Sequence, residues 1–364
     1  MDSDISPWLV LKSVNGIGNI LIKRLLEKFS TPEQIFSSPI NKLCSIEGMT
    51  QKRAESIKKA KETKFIKDEI KIALKENIKF VSYNDKNYPV LLKEIIDPPP
   101  FLYLRGNHPP DIVSIAIVGS RNASTEGRAK ASKLSSIISK SGIRVTSGMA
   151  LGIDGASHSA ALNFPGSTTA VLGSGLLNIY PREHRALFKN IIDKNGGVFS
   201  EFFLNQTPEA FNFPKRNRIV SGISIGVVVV EAGERSGAVI TAKLAADQGK
   251  EVFVVNLEHS NSPGTDKLEE LGAKRIKNSD EIFEEFPWLK IQSSKPPLQK
   301  KSLDFNEESV IKALKQTEIP LNIDEICRSC NLSYSNKIGA VLTNLELEGI
   351  IKQLPGKFYY LTED

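Results

Sequence analysis

Short apolar runs alternate with helical runs through residues 111–285, and this alternation limits the possible folds more than any other feature of the chain. Most of the apolar runs are nearly continuous, which is typical of parallel strands buried on both faces. Helical stretches lie between several of them, for example at residues 127–142 and 237–249. The pattern predicts an α/β fold with a Rossmann-like, doubly wound, mostly parallel sheet. The predicted strands are residues 112–119, 143–148, 167–173, 196–201, 223–231 and 250–256.

Helices are predicted for residues 1–80, because apolar residues recur there at helical spacing. Two glycine turns, at residues 14–20 and 46–57, each precede a helix. Such a turn lets backbone amides approach a phosphate at the positive end of the helix, but it is equally consistent with an ordinary helix connection. Residues 81–110 are predicted to be a connector, because DPPP blocks a helix and residues 101–106 resemble a short strand. The paired turns resemble a helix-hairpin-helix or SAM-like domain.

The C-terminal part is predicted to be a separate small domain. Residues 286–302 are polar and proline-bearing, which indicates a linker. Residues 303–364 are helical and end in an apolar run, a Pro-Gly turn and an aromatic run, which is typical of a winged helix. The net charge of this end, counted from residue 291, is −1, against +5 for residues 1–110 and +2 for residues 111–290. A protein-interaction role is therefore favoured over reading of duplex DNA, which usually requires a basic face.

Several classes of protein are excluded by composition. No stretch approaches the roughly 20 apolar residues that a membrane helix needs. Acidic residues stand where a signal peptide would carry basic ones. Three cysteines cannot form a disulfide framework, so a cytoplasmic location is expected. Cys327 and Cys330 lack the second pair or the histidines that would make a zinc site, and we expect no metal.

Glycine, serine or basic residues follow five of the predicted strands. Because ligands of open α/β sheets bind beyond the carboxyl ends of the strands, these residues are candidates for a phosphate site. Each of them could instead be structural when taken alone, whereas their recurrence favours a ligand. The candidate residues are Gly119, Ser120, Arg121, Gly148, Gly152, Arg182, Lys215, Arg216, Asn217, Arg218 and Ser236.

No catalytic machinery accompanies these loops in the sequence. The chain lacks the P-loop and the G-x-G-x-x-G fingerprint, and Ser174 lacks a nucleophile elbow. His158 is more typical of packing than of ligand contact. We therefore predict no catalytic residues and no cofactor, and a protein that holds a polyanion such as a nucleic-acid strand. Tyr180, Phe211 and Phe213 could stack on bases or belong to the core.

The strand-end motifs resemble those of the DNA-processing protein A (DprA/Smf) family. The resemblance rests on IVGSRNAS, SGMALGIDGASHSAAL, TTAVLGSGLLNIYP, FSEF, FPKRNRIVSG and VVVEAGERSGAVITAKLAADQGKEVF, in this order. It covers about residues 80–285, and the flanks agree with it. It implies a non-enzymatic mediator of natural transformation that binds single-stranded DNA and loads the RecA recombinase onto it. It also implies single-strand-binding protein as a partner and a homodimer through the Rossmann-like domain, without membrane association.

One segment departs from the family pattern. Residues 256–268 carry Asn-Leu where the family usually has Pro-Gly, and Gly-Thr-Asp-Lys-Leu where it has Gly-x-Asn-x-Leu-Ile. This affects the expected surfaces for self-association and RecA. An alternative is a nucleotide-processing enzyme of the phosphoribohydrolase, lysine-decarboxylase-like type, whose P-G-G-x-G-T motif is replaced here by EAGERSGAVITA.

Overall fold

The computed structural model describes most of the chain. The described residues are 5–258, 262–289, 305–315, 321–330, 336–347, 351–354 and 358–361. The chain divides into two compact units, Met1–Ser294 and Lys295–Asp364. The first unit holds the N-terminal helices and a large sheet, and the second is the small C-terminal domain.

Helices occupy the N-terminal part up to residue 75, as the spacing of its apolar residues predicts. Three of the helices begin at a threonine, Thr31, Thr50 or Thr63, whose side chain accepts a hydrogen bond from a first-turn amide. Such caps satisfy amides that have no partner within the helix. The helices are α1 (Ser6–Ser13), α2 (Asn19–Phe29), α3 (Pro32–Ser37), α4 (Ile40–Cys44), α5 (Gln51–Lys59) and α6 (Lys64–Lys75).

A nine-stranded sheet lies at the centre of the first unit. Its strands are β1 (Lys79–Ser82), β2 (Phe101–Gly106), β3 (Ser114–Val118), β4 (Arg144–Ser147), β5 (Thr168–Val171), β6 (Gly197–Ser200), β7 (Gly226–Val229), β8 (Glu251–Val255) and β9 (Lys274–Ile276). The spatial order is β1-β2-β6-β5-β4-β3-β7-β8-β9. The seven strands from β6 to β9 in this order are parallel, while β2 pairs antiparallel with both neighbours. This confirms the predicted Rossmann-like, mostly parallel sheet.

The direction of winding reverses between β3 and β7, which is the point where such sheets bind ligands. The helices on the two faces of the sheet are α7 (Thr125–Lys140), α8 (Ile153–Ala161), α9 (Arg185–Asp193), α10 (Asn212–Gly222), α11 (Gly237–Asp247), α12 (Pro263–Glu270) and α13 (Asp280–Glu285). Successive side chains of β3 point to opposite faces of the sheet. Ile115 and Ile117 join the core cluster of α7 and α8, whereas Ala116 and Val118 join that of α10 and α11.

Two strands extend the sheet beyond the predicted set. β1 begins at the end of the predicted helical region, and its register places Phe80 opposite Tyr103 of β2. The predicted connector is therefore part of the sheet, since β2 also pairs with β6. β9 has three residues and a single apolar one, which is too short to show a periodic pattern.

The N-terminal helices and the sheet share one core. Leu25 of α2 lies in the same buried cluster as Phe101 of β2. Glu69 of α6 adds a polar link, because its carboxylate accepts hydrogen bonds from the Tyr103 hydroxyl (3.0 Å) and the Leu204 amide (2.6 Å). Burial raises the pKa of Glu69. The helical part is thus joined to the sheet by both apolar and polar contacts.

The predicted linker differs from the structure at its start. Phe286 and Leu289 are buried in the same core cluster as β8 and α7, so this stretch packs on the sheet. Residues 290–302 of the predicted linker lie outside the described residues.

The C-terminal unit has its own core and a three-stranded sheet in the order β10-β12-β11. Its elements are α14 (Phe305–Lys315), β10 (Leu321–Asn322), α15 (Ile323–Ser329), α16 (Asn336–Leu347), β11 (Ile351–Leu354) and β12 (Phe358–Leu361). β11 and β12 pair antiparallel, as the predicted hairpin requires. Helices followed by this hairpin confirm the winged-helix prediction.

Within the described part of the chain, no helix combines the length and apolar character needed to cross a membrane. The same residues contain no cluster of histidine, cysteine or acidic side chains placed to hold a metal ion. Cys44, Cys327 and Cys330 are free thiols.

Candidate functional site

A cavity of about 740 Å³ opens beyond the carboxyl ends of β3, β4 and β7, at the reversal of winding. We call it the sheet-edge cavity. Its position is the one at which open α/β sheets bind ligands. Seven of the predicted phosphate-binding residues line it: Gly119, Ser120, Arg121, Gly148, Arg216, Asn217 and Ser236.

The loop after β3 is held at both ends. The Ser120 amide donates to the Glu231 carbonyl (2.7 Å), and the Ser120 carbonyl accepts from the Ile153 amide (3.2 Å). The Glu231 carboxylate accepts from the amide (2.9 Å) and hydroxyl (2.7 Å) of Ser124. A carboxylate at the start of α7 also interacts favourably with the helix dipole. Glu231 therefore positions the loop that carries Arg121.

Arg121 is the exposed cation of this cavity. Its side chain makes no ion pair with any residue that the structure describes. The guanidinium carbon lies 5.2 Å from the centre of the Phe213 ring, and the Tyr180 ring lies 5.7 Å from the same centre. Tyr180 and Phe213 both line the cavity. A positive charge beside an aromatic pair suits phosphate contact together with base stacking.

The loop after β4 depends on a glycine and a buried acid. Gly152 has a φ of +75°, and a Cβ there would lie 2.2 Å from the Ser120 carbonyl oxygen, so only glycine allows the two loops to touch. The Asp154 carboxylate accepts from the amides of Gly148 (3.1 Å) and Ala150 (3.2 Å). Burial raises the pKa of Asp154, and the nearby Arg216 charge opposes that shift. Gly152 shapes the cavity without lining it.

The basic sequence KRNR lies within α10, not in a loop, and this separates its charges. Arg216 is buried, and its guanidinium donates to the carbonyls of Gly148 and Val171, which follow β4 and end β5. Burial lowers the pKa of Arg216 to about 10, so the group remains charged at neutral pH. Arg216 thus joins two strand ends where it lines the cavity, and its contact with phosphate stays a prediction.

Lys215 and Arg218 lie on another face of α10, because residues three apart fall on the same side of a helix. Both line a second cavity, of about 620 Å³, between the N-terminal helices and the sheet, which we call the hairpin cleft. Arg218 is buried and ion-paired with Glu201 (2.6 Å) and Asp97 (2.9 Å), and its predicted contact with phosphate stays a prediction. Lys215 is exposed, with its ammonium 5.1 Å from the centre of the Phe211 ring.

Two other predicted residues take supporting positions around α11. Ser236 caps this helix, since its hydroxyl accepts from the Val239 amide (3.4 Å). The Asn217 side chain donates to the Gly237 carbonyl (3.2 Å) and ties α10 to α11. The positive end of α11 therefore faces the sheet-edge cavity.

Arg182 lies exposed on a 3₁₀ turn, Arg182–His184, and lines neither cavity. Its neighbour His184 has a role that the sequence does not reveal: its Nδ1 lies 2.8 Å from the Met149 carbonyl and supports the loop after β4. His158 is fully buried, with Nδ1 2.7 Å from the Thr168 hydroxyl. Burial lowers the pKa of His158 to about 3, so it is neutral at physiological pH and packs in the core.

The fold and the cavity define a doubly wound α/β protein whose switch point is lined by arginine, glycine turns and a helix N-terminus. The chain belongs to the family described as DNA recombination-mediator protein A, whose model matches residues 79–287. A SAM-like helix-hairpin-helix tandem matches residues 9–61, and a DprA winged helix domain matches residues 294–357.

Individual relatives agree with this assignment. Protein Smf from Synechocystis is 32% identical over 98% of this chain and 99% of its own length. DNA processing protein DprA from Bacillus subtilis is 39% identical over 61% of this chain and 75% of its own. The crystal structure of DNA processing protein A from Streptococcus pneumoniae covers 77% of this chain and 98% of that chain, at 30% identity and a TM-score of 0.66. The protein from Helicobacter pylori, described for its single-stranded DNA binding mode, covers 57% of this chain and 95% of that chain, at 28% identity and a TM-score of 0.51.

Proposed function

We propose that this protein is a recombination mediator that binds single-stranded DNA in the sheet-edge cavity. The observation that carries the proposal is Arg121, which is exposed at the switch point, lacks an acidic partner among the described residues and lies beside Phe213. Family membership supports the same reading, as does the single-stranded DNA binding described for the Helicobacter pylori relative.

The cavity offers the two kinds of contact that a single strand needs. Arg121, the Ser120 hydroxyl and the amides at the start of α11 suit phosphate oxygens. Tyr180 and Phe213 suit the faces of unpaired bases, which are free to stack only in a single strand. These contacts do not read sequence, so we expect binding that depends strongly on salt and weakly on base composition.

Further steps of the proposal rest on family membership. We propose that the protein loads RecA onto strands taken up in natural transformation, works alongside single-strand-binding protein, and forms a homodimer through the Rossmann-like domain. The free cysteines suit a reducing cytoplasm as the place of action. Ser262, within the segment that departs from the family pattern, accepts a hydrogen bond from the Ala232 amide in the loop after β7 (2.9 Å). The departure itself bears on the expected surfaces for self-association and RecA.

Replacing Arg121 with alanine should weaken single-stranded DNA binding. One lost phosphate contact lowers the slope of log affinity against log salt by about 0.7. That change corresponds to about fivefold weaker binding at roughly 0.1 M salt. Fluorescence anisotropy with a labelled oligothymidine over a range of salt concentrations measures both quantities.

The matched control is Lys189→Ala, which removes the same charge from an exposed position that lines neither cavity. It should keep the wild-type slope. Equal slopes for the wild type and the Arg121 variant would show that the strand is not held by this cation.

We also propose that the protein is not an enzyme. The acidic and imidazole groups around the cavity serve the structure: Asp154 accepts from loop amides, Glu231 from Ser124, and His158 is buried and neutral. Nucleoside monophosphates incubated with the protein should be recovered intact by chromatography. Release of free base would instead favour the phosphoribohydrolase alternative.

A further inference from the structure

Both glycine turns of the N-terminal helices face the hairpin cleft. Gly16 and Gly18 of the first turn and Gly48 of the second line it, so the structure brings together two turns that are far apart in sequence. The opposite wall includes Phe211 and Lys215, near the start of α10. The cleft therefore lies on one side of α10 and the sheet-edge cavity on the other.

The first turn leaves helix amides available. Gly18 is the N-cap of α2 and has no side chain to accept from the first-turn amides, which have no partner within the helix. Lys12 lies beside this turn, with its ammonium 2.7 Å from the Asn19 side-chain oxygen and 3.9 Å from the Glu201 carboxylate. Burial lowers the pKa of Lys12, and the Glu201 charge opposes that shift. Amides at the positive end of a helix next to an ammonium group form a setting that favours a phosphate.

The opposite wall offers an aromatic surface and two unsatisfied polar atoms. The Phe211 ring is 59% exposed, and the Lys215 ammonium lies over it. Glu201 and Arg218 line the cleft with side chains that are more than nine-tenths buried. Within the described part of the chain, Glu201 Oε1 and Arg218 Nη1 have no hydrogen-bond partner. An acceptor and a donor in adjacent side chains match the edge of a nucleobase, which carries both kinds of group.

We propose that the hairpin cleft binds a further nucleotide of the strand whose neighbouring part lies in the sheet-edge cavity. The phosphate lies at the Gly18 turn, between Lys12 and Lys215, and the base packs against Phe211. The strand crosses the start of α10, where Phe213 faces one cavity and Phe211 the other. This inference rests on the proposed function and extends the site to a second cavity, which only a longer strand can reach.

The test uses the full chain with Gly18→Asp and, as its matched control, Gly18→Ala. A Cβ at Gly18 meets nothing within 4 Å, and the φ of −88° suits any residue, so both variants should fold. The aspartate places a negative charge on the helix amides where the proposal puts a phosphate, whereas the alanine leaves those amides open. Affinity and salt slope are measured with oligothymidines of about 4 and about 20 nucleotides, since single-strand sites span about 4–16 nucleotides.

Gly18→Asp should bind the long strand at least about fivefold more weakly at roughly 0.1 M salt, with the salt slope reduced by about 0.7. It should bind the short strand like the wild type, and Gly18→Ala should match the wild type on both. Unchanged binding of the long strand, or equal weakening on both lengths, would overturn the hairpin-cleft proposal and leave the sheet-edge cavity standing. If the wild type binds neither strand, the proposed function fails as well.

A second variant tests the base contact. Phe211→Ala should weaken binding of the long strand about fivefold, because loss of one stacked base removes at least that much affinity, and should leave the short strand unaffected. Phe211→Tyr keeps an aromatic face and should retain most of the binding. If Phe211→Ala binds the long strand with wild-type affinity, no base packs against Phe211 in the cleft.

Discussion

Replacing Gly152 with alanine is expected to lower the free energy of unfolding by about 2–5 kcal/mol and to abolish single-stranded DNA binding. The residue has a φ of +75°, which an alanine adopts only with strain, and its Cβ would lie 2.2 Å from the Ser120 carbonyl oxygen and 2.5 Å from that of Arg121. The loops after β3 and β4 would have to separate, and Arg121 would leave its position beside Phe213. Urea denaturation and fluorescence anisotropy measure the two effects.

Gly142→Ala is the matched control for this prediction. Gly142 has a φ of +80°, but a Cβ there meets nothing within 4 Å. The variant should therefore show the backbone strain alone, about 1–2 kcal/mol, and bind DNA like the wild type. If the two variants lose equal stability, the contact between the loops contributes nothing. If Gly152→Ala is destabilised but binds normally, the loop after β3 does not hold the strand.

Arg216→Gln is expected to lower the free energy of unfolding by about 3–5 kcal/mol. The shorter, neutral side chain leaves the carbonyls of Gly148 and Val171 without their buried donor and removes the positive charge near the buried Asp154. DNA binding should fall too, because the loop after β4 loses its support. The unfolding free energy from urea denaturation is the primary readout.

The comparison for this variant is Arg121→Gln, the same substitution at the exposed arginine of the cavity. It should change the unfolding free energy by no more than about 0.5 kcal/mol while weakening DNA binding. The two variants thus distinguish an arginine that supports the loops of the cavity from one that contacts the DNA strand. Wild-type stability of Arg216→Gln, combined with lost binding, would show that Arg216 turns outward to hold the ligand.

The sheet and the place of the cavity were predictable from the sequence, because buried parallel strands are nearly all apolar and ligands bind beyond their carboxyl ends. Ser120 and Arg121 follow β3 directly, so the end of that strand sets their position. β9 escaped prediction because three residues with one apolar side chain carry no periodic signal. The same limit applies to the four residues of β1.

The roles of the basic residues were less predictable. Arg216 and Arg218 are close in sequence, yet one joins two strand ends and the other pairs with Glu201 and Asp97. Only the placement of KRNR within α10 separates them, since helical geometry directs neighbouring residues to different sides. Likewise, Glu231 and His184 act through contacts with residues distant in sequence, which no local pattern reports.

The shared core of the N-terminal helices and the sheet implies that inherited modules and cooperative unfolding units do not coincide in this chain. The helix-hairpin-helix model ends at residue 61 and the model of the sheet domain begins at residue 79. The apolar cluster that contains Leu25 and Phe101 crosses that boundary. Deleting the helices would expose Phe101 and Tyr103 to water and leave the sheet prone to aggregation. Helices and sheet should therefore melt in a single transition and share their slowest-exchanging amides.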